Sequence, residues 1–167
     1  CGTGYWTQFL APAARRILAI DASSETLQIA RNRISAGTVE FTVGDAYRLP
    51  ASSREFNACF AGFWFSHVPR TQMRDFLLGL HKALLPGAKF VFLENRFVTG
   101  SSTPISETDA DGNTYQIRHL EDGSTHRVLK NFPSHHDLRD ALAGAATEVH
   151  FHEWQYYWAL EYAIAAP

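Results

Sequence analysis

The strongest constraint on this fold is an alternation of four short, nearly continuous apolar runs with segments of helical spacing. Ile17-Leu18-Ala19-Ile20, Val39 to Val43, Phe56 to Ala61 and Lys89 to Leu93 read as strands. Runs that are apolar on both faces belong to a parallel sheet covered by helices on each side. Between them, Ser24 to Ile34 places Leu27, Ala30 and Ile34 on one helical face, with Ser23 and Ser24 as candidate caps. Met73, Phe76, Leu77, Leu80 and Leu84 repeat at the same spacing, after a Pro69 suited to a first turn and before a Leu85-Pro86-Gly87 stop. Trp6 to Ala14 reads as a short helix with Phe9 and Leu10 as its apolar contacts.

The pattern changes after Arg96. Residues 97–114 are rich in Ser, Thr, Asp and Gly and read as a surface loop. Tyr115 to Leu120 and Thr125 to Leu129 flank Glu121-Asp122-Gly123-Ser124, a hairpin turn signal. Ser134 to Ala143 reads as a helix with Leu138 and Leu142 inward. Thr147 to Trp154 and Gln155 to Tyr162 read as two closing antiparallel strands, with Tyr156, Tyr157, Trp158 and Tyr162 alternating between core and pocket rim. The expected fold is α/β, a doubly wound, mostly parallel sheet with antiparallel C-terminal strands, in one domain over residues 1–167.

Function is written at the strand ends. Two glycines within Cys1-Gly2-Thr3-Gly4-Tyr5-Trp6-Thr7 let a backbone turn sharply beside a ligand. Asp21 ends the strand that follows, and Gly44-Asp45-Ala46 ends the next. Ligands of open α/β sheets sit beyond the carboxyl ends of the strands, so a glycine turn with two carboxylates describes a nucleoside pocket. Asp21 is placed to accept from ribose hydroxyls and Asp45 from an adenine amino group. A dinucleotide fingerprint needs a third Gly or Ala, and the third place here is Thr7. That points to a cofactor without a pyrophosphate.

Glycine turns of this kind join a strand to a helix, and no strand precedes Cys1. The expectation is that further residues lie upstream, including at least one apolar strand that would be the first, central strand of the sheet.

The chain resembles the class I S-adenosylmethionine-dependent methyltransferases, especially small bacterial enzymes acting on small molecules. The resemblance rests on Cys1-Gly2-Thr3-Gly4, Ile20-Asp21-Ala22-Ser23 and Val43-Gly44-Asp45-Ala46-Tyr47-Arg48-Leu49-Pro50. It continues through Ala61-Gly62-Phe63-Trp64-Phe65-Ser66-His67-Val68-Pro69 and Leu84-Leu85-Pro86-Gly87-Ala88. It implies a cofactor set of Gly2, Thr3, Gly4, Trp6, Asp21, Ala22, Asp45, Ala46, Tyr47, Ala61, Gly62 and Phe63. Within that set Gly2 and Gly4 lie against the methionine part, Asp21 holds the ribose, Asp45 and Ala46 face adenine, and Ala61 to Phe63 floor the sulfonium. Two other functions stay open at this point: a nicotinamide-dependent oxidoreductase, and a binding protein that keeps the cofactor pocket without catalysis.

Methyl transfer needs aligned reactants, worth on the order of 7–11 kcal/mol, and a base only where the acceptor must lose a proton. His67 is the candidate base, just past a strand end, with an unperturbed pKa of about 6.5. The alternative reading is an anchor for the loop before Pro69 that shapes the cofactor site. Phe63, Trp64 and Phe65 offer walls for the acceptor, with at least one of them core, and Asn95 and Arg96 end the next strand. The loop and hairpin over 97–130 are expected to cover the acceptor.

Composition bounds the rest. A net charge of -2 gives no basic footprint for nucleic acid, and the longest apolar runs fall short of a membrane span. Two cysteines make no disulfide framework, which suits a reducing, cytoplasmic setting. His150 and His152 share a strand face but lack the ligands to complete a zinc site, and Asp109-Ala110-Asp111-Gly112 reads as a turn rather than a calcium loop. The expected partner is a small-molecule methyl acceptor, partly apolar, with the methylated atom open.

Overall fold

The computed structural model describes residues 1–35 and 37–165. In chain order the helices are α1 (Thr7–Leu10), α2 (Ser24–Arg33), α3 (Met73–Ala83) and α4 (His135–Leu142). The strands are β1 (Ile17–Asp21), β2 (Val39–Val43), β3 (Ala58–Gly62), β4 (Lys89–Asn95), β5 (Glu107–Thr108), β6 (Thr114–His119), β7 (Thr125–Leu129), β8 (Ala146–Glu153) and β9 (Tyr157–Ile164).

Strand β1 pairs in parallel with β2, Ile17 opposite Val39 and Asp21 opposite Val43. A second ladder runs β3-β4-β9-β8, parallel between β3 and β4 and antiparallel through the last two strands. Among the described residues the two ladders are not hydrogen-bonded to each other. The small sheet β5-β6-β7 stands apart as the hairpin expected over 115–129 with one extra two-residue strand. Expected and observed elements thus agree in kind and order, with the antiparallel strands at the C-terminal end.

The core sits where α3 and α4 cover one face of the larger ladder. Met73, Phe76, Leu77 and Leu80 of α3 meet Phe90 and Phe92 of β4, Leu160 and Tyr162 of β9, and Leu138 and Leu142 of α4. The rings of Phe90 and Tyr162 stack 5.0 Å apart. Burial of side chains this size contributes about 1.5–3 kcal/mol each. Ser23 caps α2 by accepting the Thr26 N–H at 3.0 Å, and Ser134 and Asp137 form a reciprocal capping box on α4.

Several boundaries differ from the sequence reading. The first helix is one turn, Thr7–Leu10, because Pro12 lacks the N–H that would extend it. Phe9 is 60% and Leu10 37% exposed, so neither is the core contact expected. Phe56 closes a tight turn by donating its N–H to the Ser53 carbonyl, which delays β3 to Ala58. Pro69 precedes a separate turn, Arg70–Gln72, ahead of α3. On β9, Trp158, Leu160 and Tyr162 point into the core, whereas Tyr157 and the preceding Tyr156 are exposed and line a cavity, the division between core and rim expected of these aromatics. The strand lies between β4 and β8, and on its other face Tyr157 and Glu161 stay exposed.

Among the described residues no helix is long and apolar enough to cross a membrane. None of their His, Cys, Asp and Glu side chains gather in threes at metal-binding distance. His152 faces Glu161 at 3.5 Å instead.

Candidate functional site

The carboxyl ends of β1 and β2 and the turn at Gly2 come together around Asp21. Its Oδ2 accepts the Gly2 N–H at 2.8 Å and its Oδ1 the Ser23 N–H at 3.1 Å. Burial pushes the Asp21 pKa up, but the hydrogen bonds from the Ser23 and Gly2 amides hold it down, and the carboxyl lies below its ordinary value. A half-buried carboxylate that is ionised and retains free lone pairs is an acceptor for vicinal hydroxyls.

Both glycines of the turn use conformations that disfavour a side chain. Gly2 has φ +58° and Gly4 φ +76°. A Cβ on Gly4 would stand 2.9 Å from Ile34 Cδ1 and 3.1 Å from Ala30 Cβ, so this glycine lets the turn pack on α2. A Cβ on Gly2 would meet nothing within 4 Å. The two therefore differ in role: Gly4 closes the fold, and Gly2 faces open space. Thr3 accepts from Arg33 Nη1 through its hydroxyl at 3.2 Å, and Ala22 is exposed beside Asp21.

Asp45 is exposed and accepts the Tyr47 N–H through Oδ1 at 2.9 Å, which shapes the turn after β2. The Tyr47 ring lies against Phe76 at 5.1 Å and Trp64 at 6.0 Å. It borders a cavity of about 230 Å³ shared with Gln72 and Asp75 of the α3 side. Ala46 packs on the edge of the core.

At the end of β3, Phe63 has φ +56°, an uncommon and strained conformation for a bulky residue. Its N–H donates to the Leu93 carbonyl at 2.8 Å. The Phe63 ring lies between Trp6, 5.7 Å away, and Tyr157, 5.9 Å away. Trp6 also covers Gly62, where a Cβ would come within 2.7 Å of the indole. Of the three aromatics after β3, Phe65 is core at 2% exposure, whereas Phe63 and Trp64 stay half-buried.

His67 follows in a tight turn, Phe65–His67. Its Nδ1 lies 2.6 Å from the carbonyl oxygen of Leu129 at the end of β7. A carbonyl only accepts, so Nδ1 carries the proton and Nε2 keeps its lone pair. Burial lowers the His67 pKa, and although the Leu129 carbonyl opposes this, nearby Lys130 adds to the lowering, as does Arg118. The lowered pKa keeps the ring neutral at pH 7, with Nε2 unprotonated.

Beneath that turn lies a buried polar cluster that the sequence reading does not contain. Glu94, fully buried near the end of β4, accepts the Ser66 N–H at 3.0 Å. Lys130 donates to Ser66 Oγ at 2.7 Å and pairs with Glu94 Oε2 at 3.4 Å. The Asn131 N–H donates to the Ser66 carbonyl at 2.8 Å, and its side-chain amide donates to the Val68 carbonyl at 3.0 Å. The one available signal was Glu94 itself, a carboxylate ending an apolar strand, as Asp21 and Asp45 do.

On the far side of Tyr157 is a cavity of about 390 Å³ roofed by residues 101–103 and by β6. Asn95 and Arg96, at the end of β4, line it. Arg96 is also held by Glu153 at 3.2 Å and donates to the Trp154 carbonyl at 2.7 Å.

A glycine turn and acids at the carboxyl ends of the strands of an α/β fold stand where such folds bind nucleoside ligands. The family model described as "Methyltransferase domain" matches residues 1–87, and the chain belongs to that family, the class I enzymes that use S-adenosylmethionine. The ubiquinone/menaquinone biosynthesis C-methyltransferase UbiE of Rubrivivax gelatinosus is 30% identical over 93 residues, 56% of this chain and 36% of its own length. The DhpI–SAH complex is 26% identical with a TM-score of 0.77, over 98% of this chain and 73% of that one. The PH0226 protein of Pyrococcus horikoshii OT3, 19% identical, shares the fold with a TM-score of 0.77 over 99% of this chain and 80% of that one. The chain spans 34 to 43% of the length of the curated relatives it matches.

Proposed function

We propose that this domain transfers a methyl group from S-adenosylmethionine to a small organic acceptor, with His67 as the base where the acceptor must lose a proton. The observation that carries the reading is the Nδ1–H of His67 on the Leu129 carbonyl, which leaves Nε2 unprotonated in the turn that follows β3. S-adenosylmethionine supplies a sulfonium-bound methyl that an acceptor lone pair can displace, the broken bond's electrons staying on sulfur.

The residues present fit that cofactor. Asp21 would hold the ribose hydroxyls, with Ala22 beside it. Gly2, flanked by Thr3 and Gly4, faces the open space that the methionine part would fill. Asp45, Ala46 and Tyr47 would border the adenine. Trp6, Ala61, Gly62 and Phe63 would form the floor, where aromatic faces favour a cation. Loop and hairpin 97–130 would cover the acceptor. Relatives' names give no single acceptor atom, since one is a malonyl-[acyl-carrier protein] O-methyltransferase and another a C-methyltransferase.

The deciding experiment is calorimetry with S-adenosylhomocysteine and NAD, followed by an acceptor screen that reads S-adenosylhomocysteine release. Binding of the first alone, with turnover on some acceptor, supports the proposal. Binding of neither overturns it, and binding without turnover on any acceptor leaves the non-catalytic reading in its place.

A further inference from the structure

Three cationic side chains line the cavity beyond Tyr157: Arg96, Arg118 and Lys130. Two are already neutralised. Lys130 faces Glu94, and Arg96 faces Glu153. Among the described residues Arg118 makes no ion pair and no hydrogen bond to another side chain or carbonyl, although Arg127 on the neighbouring strand is bound by both oxygens of Glu107 at 2.9 and 3.0 Å. The cavity therefore holds one uncompensated guanidinium, in a recess otherwise rich in hydrogen-bonding groups.

The placement of Arg118 is built into the sheet. Successive β6 side chains alternate, so Gln116 and Arg118 share one face. Gln116 is buried and donates through Nε2 to the Thr103 carbonyl at 2.6 Å, which fastens the 101–103 loop over the cavity. Opposite stands Tyr157, whose other neighbour is the Phe63 ring. One wall residue thus separates the Arg118 recess from the floor assigned to the methyl group.

We infer that the acceptor carries an anionic oxygen group, a carboxylate or a phosphonate or phosphate, that seats on Arg118 in this cavity. The assignment deepens the methyl-transfer reading and rests on it. Arg presents a planar fork of donors matched to such oxyanions, and charge-assisted pairs of this kind are about twice as strong as neutral ones. A cavity of about 390 Å³ is of the size that small-molecule ligands occupy.

The test is a titration of the chain, with and without S-adenosylhomocysteine, using butyrate, propylphosphonate and the neutral isostere butyramide. Arg118→Met and Arg118→Lys are compared with the parent. The expected result is at least about ten-fold tighter binding of one or both anions than of butyramide, lost in Arg118→Met and partly kept in Arg118→Lys. A preference for propylphosphonate identifies a phosphorus oxyanion as the natural group, and a preference for butyrate a carboxylate. Equal binding of butyramide, or anion binding unchanged in Arg118→Met, overturns the inference. Failure of S-adenosylhomocysteine to bind would strike the methyl-transfer reading instead, while the titrations without it still read the discrimination by Arg118.

Discussion

The Nδ1 atom of His67 lies 2.6 Å from the carbonyl oxygen of Leu129, 62 residues further along the chain. The contact fixes the tautomer of a half-buried ring and joins the turn after β3 to the end of the hairpin. His67→Gln removes the basic nitrogen but keeps a polar side chain of similar reach. With an acceptor that loses a proton, kcat is expected to fall about 10²- to 10⁴-fold, with S-adenosylhomocysteine affinity nearly unchanged. Equal loss of affinity and turnover would make His67 a loop anchor.

The same ring sets a pH dependence. Burial lowers its pKa, so the basic form persists below the ordinary value of about 6.5 before it is lost. The kcat/KM profile is expected to be flat near pH 7 and to decline only on the acid side of about 6.5. An acid limb centred above pH 7 would contradict the assignment.

Asp21 is held ionised by the amides of Gly2 and Ser23. Asp21→Asn preserves shape while removing the charge and part of the acceptor capacity. Affinity for S-adenosylhomocysteine should drop about 10- to 100-fold, the equivalent of about 1.5–3 kcal/mol for hydrogen bonds to a charged group. Unchanged calorimetric binding would remove Asp21 from the pocket. In parallel, Gly4→Ala should lower the urea midpoint more than Gly2→Ala, because only the first drives a Cβ into Ile34 and Ala30.

Glu94 and Lys130 form a buried pair at 3.4 Å. Removing one partner leaves a charge without compensation, at a cost of about 3–5 kcal/mol. Lys130→Met is therefore expected to destabilise strongly, and Lys130→Met with Glu94→Gln much less than the sum of the single changes. A strictly additive double-mutant cycle in urea would show that the two do not interact.

His81 supplies a stability readout away from the site. Its Nε2 lies 3.0 Å from the Tyr162 hydroxyl, and burial lowers its pKa. In the unfolded chain a histidine titrates near about 6.5. As pH falls through that value the unfolded state takes up protons that the folded state refuses, so stability declines and levels off below the folded pKa. The contribution is fully present above pH 7. His81→Gln should lessen the drop in urea midpoint between pH 7.5 and 5.5, and an identical drop in both proteins would exclude it.

Much of this was legible in the sequence for a physical reason. A parallel strand buried on both faces must be apolar throughout, so Asp21, Asp45 and Glu94 stand out as charges at the ends of such runs. Asp45 follows Gly44 and Asp21 follows the strand after a glycine turn, whereas Glu94 has no glycine signal near it and reads as an ordinary strand end. Its partner Lys130 lies 36 residues away, and no local spacing encodes a pairing that the hairpin makes by folding back. Phe9 and Leu10 misled for the opposite reason: one turn of helix is too short for an apolar pair to reveal which side is covered. Arg118 carries no signal in sequence at all, because what distinguishes it from Arg127 is the lack of an acid opposite.

The hairpin that roofs the cavity beyond Tyr157 also ends in the carbonyl that holds His67. Under the proposed function, selection of the acceptor and readiness to take its proton are thus not independent modules. A change in loop length or register between 97 and 130 would shift Leu129 and release the ring to either tautomer. Grafting a cover from a relative would carry over that relative's proton handling along with its taste in substrates, and a chimera with new specificity would need its pH optimum measured afresh.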